Sequence, residues 1–130
     1  MNMNSFLAER KKIAALFDGG KGEEAWKAAD ELKAQFGSKY DYNIAYAMAQ
    51  SMENGNSRPD LDVPLYESTA ADLDRVLGNL EVECFTATTI SCDLIIGLEG
   101  RGWKMNGVTY IKSYDGKENR QALVFERKYA

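Results

Sequence analysis

Two stretches of this chain hold residues of the types that do chemistry. One is the glycine-rich run GLEGRGWKMNG at 97–107, which carries a lysine; the other is a crowd of carboxylates between positions 59 and 83. A Walker-type phosphate loop needs glycine followed at once by lysine, then a serine or threonine for magnesium. Here Trp103 separates Gly102 from Lys104, and Met105 stands where the hydroxyl belongs. The run leads into WKMNGVTYIK, which patterns as a strand, whereas a phosphate loop opens a helix. The spacing GxxGxG also differs from the dinucleotide fingerprint GxGxxG. The glycines are therefore expected to make turns. Glu99–Gly102 would join two strands, and Asn106-Gly107 would form a second hairpin turn or a kink in one longer strand.

Other chemistry is narrowed by absence. The chain has no histidine, which removes His-based acid–base catalysis, His-ligated zinc and every Ser-His or Cys-His pair. Cys84 and Cys92 are too few for an all-cysteine zinc site and are expected to be buried thiols. Asp60, Asp62, Asp72 and Asp74 lack the ligand spacing, central glycine and closing glutamate of a calcium loop. Nothing sets two of Glu81, Glu83 and Glu99 at a working separation. No enzyme, cofactor or metal is expected.

Charge suggests binding instead. Residues 59–83 hold seven acids against Arg75 alone, while 1–58 balance and 84–130 carry two more bases than acids; the formal net charge is −4. A row of carboxylates attracts basic surfaces, above all those evolved to grip nucleic acid. The expected partner is a protein with such a surface, bound through Asp60, Asp62, Glu67, Asp72 and Asp74, with Trp103, Tyr110 and Tyr114 as exposed aromatic anchors. The role would be that of an inhibitor or adaptor, of the kind mobile elements encode. The alternative is a nucleotide or nucleic-acid module in which Arg101, Lys104, Lys112 and Lys117 interleave with those aromatics. The acidic balance of the whole chain opposes that encounter.

The elements that must position these residues follow from periodicity. Phe6, Ile13, Leu16 and Phe17 mark a first helix, with Asn4 or Ser5 as N-cap and Gly19-Gly20 as its stop. Ala25, Ala29, Leu32 and Phe36 mark a second over about 23–36. Ser38 and Asp41 resemble a capping box for a third through about 53. Residues 54–67 hold both prolines and form a connector. Thr69 would cap a fourth helix carrying the stripe Leu73, Val76, Leu77 and Leu80. From Val82 the period changes to two. Strands are expected in VECFTATTI, in CDLIIGL after a break near Ser91–Asp93, at Trp103–Lys112, and at Gln121–Tyr129 after an Asp115-Gly116 turn.

The expected fold is α+β: three short helices in a segment 1–53, a connector 54–67, and a helix plus four-stranded antiparallel meander over 68–130, or one domain throughout. With 130 residues, 45% hydrophobic and 28% charged, a sizeable core is affordable. No apolar run approaches the ~20 residues that span a bilayer, and MNMNSFLAERKK lacks the order of a signal peptide, so a cytoplasm is the default compartment. An exposed apolar face on the N-terminal helices would argue for a dimer.

Overall fold

The computed structural model describes residues 1–61, 70–88, 90–112 and 117–128. The elements are α1 (Met3–Asp18), α2 (Gly22–Ala34), α3 (Lys39–Glu53), β1 (Asp60–Leu61), α4 (Ala70–Asn79), β2 (Cys84–Ala87), α5 (Cys92–Glu99), β3 (Lys104–Lys112) and β4 (Asn119–Glu126). The fold is α+β. Each of the first three helices begins or ends where local chemistry dictates. The α1 N-cap is Asn2, whose side chain accepts from the Ser5 amide, so the cap lies two residues before the earlier of the two expected candidates. Ser38 accepts from the Asp41 amide and donates to the Asp41 carboxylate, closing the capping box.

The sheet is mixed rather than an antiparallel meander. Its strand order is β1-β2-β4-β3. β1 pairs parallel with β2, while β4 is antiparallel to both β2 and β3, so β1, β2 and β3 all run one way and β4 alone opposes them. Two departures from the expected elements produce this. CDLIIGL is helix α5, not a strand: Ser91 caps it by accepting from the Leu94 amide, and Leu94 and Leu98 bury one face at i, i+4. A short apolar run has no period of its own and suits either element. As a helix it carries the chain over from β2 to a parallel β3, a connection that a tight turn cannot make. The fourth strand, β1, is two residues of the proline connector and too short to leave a pattern.

Of the glycine stretch, Gly102 sits at φ +94° in the turn between α5 and β3, and Gly107 at φ +97°. Asn106-Gly107 is a bulge inside one strand, because the β3–β4 register shifts between Met105 and Val108. Gly97 has a different task. It lies within α5, and a Cβ there would meet the Ala70 Cβ of α4 at 2.5 Å. Gly97→Ala is therefore expected to destabilise by about 1–3 kcal/mol through overpacking, despite alanine's better helix propensity. Gly78→Ala, where the nearest atom would be Arg127 Nη2 at 3.8 Å, is expected to stabilise by up to ~1 kcal/mol. Opposite signs in thermal denaturation would bear out the α4–α5 contact; equal signs would contradict it.

One hydrophobic cluster runs from α1 to the sheet. It includes Met3, Phe6, Leu32, Ile44, Met48, Leu73, Leu77, Phe85, Leu98, Trp103 and Phe125. Phe85 stacks on Phe125 with centroids 5.2 Å apart and meets Trp103 edge-on at 5.0 Å. Buried Asp41 joins α3 to α4 by accepting from Arg75 at 2.5 and 3.0 Å. The Arg75 guanidinium, with help from Ser38, holds the Asp41 carboxyl below the usual aspartate range although burial opposes the shift. A depressed folded-state value means stability that is present above about pH 4 and lost as pH falls through that value. Denaturant midpoints of the native protein and Asp41→Asn should therefore differ near neutrality and converge as pH falls below the usual aspartate range. A difference that is constant with pH would contradict the assignment.

Candidate protein-binding groove

The described carboxylates of 59–83 do not form one solvent-facing row. Asp60 is 2% exposed and accepts from Thr86 Oγ1 at 2.6 Å. Asp74 is committed inside the fold: it accepts from Trp103 Nε1 at 3.0 Å and pairs with Arg127, whose guanidinium lies 4.6 Å over the Trp103 ring. Asp72 stays half-exposed, 3.9 Å from Arg75. Asp62, Glu67, Tyr114, Thr69 and the Asp115-Gly116 turn lie outside the described residues.

The expected aromatic anchors also part company. Trp103 is 1% exposed and belongs to the core, because its indole finds both a partner ring and an acceptor there; Tyr110 is exposed on β3. Arg101, Lys104, Lys112 and Lys117 are all exposed but spread out. Lys104 and Lys112 stand at opposite ends of β3, about 27 Å apart at roughly 3.4 Å per residue. The thiols are not both buried, as expected, but free and unlike: Cys84 is half-buried, and Cys92 is exposed because it opens α5 rather than lying in a strand. Burial pushes the Cys84 thiol up, against the pull of Arg58. Among the described residues no group of three metal-ligating side chains converges, and no helix is long and apolar enough to cross a membrane.

A well-formed concavity with an aromatic wall lies elsewhere, between α1, α2 and α3. It encloses about 670 Å³. Leu7, Arg10, Lys11, Ala14 and Phe17 of α1 face it at successive helical spacings of three, one, three and three. Trp26 and Ala29 come from α2, and Tyr42, Tyr46 and Glu53 from α3. Phe17 and Trp26 meet edge-on at 5.3 Å, yet Trp26 is 65% exposed. Behind it, Phe6, Phe36, Tyr42 and Tyr46 form a chain of ring contacts from the core outward at 5.4–6.2 Å.

No protein-family model, curated protein or solved structure matches the chain.

Arg10 and Glu53 cancel, with hydrogen bonds of 2.8 and 2.9 Å, and the Arg10 guanidinium lies 4.6 Å over the Tyr46 ring. The guanidinium in turn holds the Glu53 carboxyl below its usual range. Lys11 lines the groove, and Lys33 reaches over Tyr42 at 5.4 Å. The charged lining, Arg10, Lys11 and Glu53, is therefore net positive in a chain of net charge −4. In the sequence Phe17 and Ala29 count among the apolar stripes that mark the helices, while Arg10, Lys11 and Trp26 stand off those stripes. The usable signal was Trp26 itself. It sits beside Ala25 rather than on the Ala25–Ala29–Leu32 stripe, with Lys33 continuing its own face at i+7.

Proposed function

We propose that the protein is a non-enzymatic binding module that captures an acidic amphipathic helix of another protein in the α1–α3 groove, acting as an adaptor or inhibitor. The carrying observation is the Phe17–Trp26 pair at the groove, whose tryptophan is left mostly in water. An apolar groove between helices is the usual receptor for the apolar face of a further helix. Its net positive lining favours Glu and Asp on that helix's outer faces. The same charge disfavours a second copy as the occupant, because isologous pairing would set Lys11 and Lys33 of one molecule against those of the other.

Two synthetic helices with identical Leu and Phe positions, one with Glu and one with Lys at the remaining positions, test this by calorimetry. The acidic peptide is expected to bind at least ~10-fold more tightly at low salt, with the gap narrowing as salt rises. Equal affinity, or preference for the basic peptide, would overturn the reading. Sedimentation should find monomers; a dimer that dissolves on Trp26→Ala would replace the partner helix with self-association.

A further inference from the structure

The far face of the sheet carries a second concavity, which the groove reading does not use. Thr86, Ala122, Val124 and Ile111 are buried although they do not belong to the core cluster. The loop following α3 lies against this face. The loop is clipped in place: the Lys112 amide donates to Asn56 Oδ1 at 3.0 Å, and Asn56 Nδ2 donates to the Lys112 carbonyl at 3.4 Å, as a neighbouring strand residue would. Between loop and sheet is a space of about 280 Å³, lined by Ser57 and Arg58 of the loop, Thr86 of β2, Thr109 and Lys112 of β3, and Asn119 of β4. Gly55 makes room for the Lys112 ammonium, since a Cβ there would stand 3.3 Å from Nζ.

The polar lining is hydroxyls, amides and two cations, with no carboxylate. Of the described acids, Asp60 stands one hydrogen bond behind Thr86, and Glu126 approaches Arg58 through the Cys84 thiol that both contact. Ile111 supplies an apolar flank on this face, beside Thr109, whereas the neighbouring Tyr110 turns its ring to the other face, where Gln121 Nε2 donates to its hydroxyl. We infer that this pocket is a binding site for a small molecule bearing one phosphate or carboxylate group, held between Arg58 and Lys112 with its remainder against Ile111 and Thr109. The size suits a compact metabolite rather than a polymer, being at the small end of ligand pockets. A charged donor on each side is the arrangement that binds an oxyanion most strongly.

The test is a titration of the ¹⁵N-labelled protein with inorganic phosphate, with acetate, and with chloride at matched ionic strength. Saturable shifts at Asn56–Arg58, Thr86 and Thr109–Lys112 with phosphate alone would mark a phosphate site; the same shifts with acetate as well would mark a general oxyanion site. The double variant R58Q/K112Q should weaken either by about tenfold or more while leaving the remaining amide shifts in place, as both side chains are exposed. Shifts no larger than those with chloride, or shifts that survive in the variant, would overturn the inference.

Discussion

Replacing Asp74 with alanine is expected to cost about 3 kcal/mol, roughly 10 °C in Tm, and to be among the most damaging single changes of a polar side chain in this protein. Asp74 touches three elements at once. It sits on α4, takes the indole hydrogen of Trp103 where β3 begins, and pairs with Arg127 just past β4. Arg127 in turn donates to the Arg101 carbonyl at 3.2 Å and covers the Trp103 ring. Alanine would leave the indole N–H of a buried tryptophan without its acceptor and remove the anion from a pair that is 18% and 25% exposed. Asp74→Asn keeps an acceptor for the indole and loses only the charge, so it should cost about half as much. If both variants melt within a degree or two of the native protein, the carboxylate is solvated and this cluster does not hold the sheet to α4.

Trp26→Ala is expected to act in the opposite way, on binding and hardly on folding. A tryptophan at the centre of a helix-binding groove contributes 2 kcal/mol or more, so affinity for the acidic helix should fall at least ~30-fold. The fold loses only one edge-on ring contact, worth about 1 kcal/mol, from a side chain already mostly in water. Phe17→Ala should show the same division with a smaller loss of affinity. Denaturant unfolding beside calorimetry separates the two effects. A Trp26→Ala protein that binds normally would show the exposed ring to be incidental.

The helical half was legible because its signals are local. Ser38 with Asp41, the glycines at 19–20, and the Leu73–Val76–Leu77–Leu80 stripe each specify structure over a few residues. The sheet was less so. Its topology depends on whether CDLIIGL is a helix, and that is settled by a cap at Ser91 and by packing of Gly97 on Ala70, neither of which shows in periodicity. Charge reading missed for a related reason. Counting carboxylates between 59 and 83 cannot tell that Asp60 is buried against Thr86 or that Asp74 meets Arg127, 53 residues later. The groove residues are spread over three helices and come together only through the packing of α1 on α2 and α3.

The two tryptophan indoles offer the most direct measurement. In ¹H–¹⁵N spectra taken as the acidic amphipathic peptide is added, the Trp26 indole signal is expected to move and saturate, while that of Trp103, held by Asp74 in the core, stays in place. A stationary Trp26 signal in the presence of bound peptide would place the partner somewhere other than this groove and contradict the proposed function.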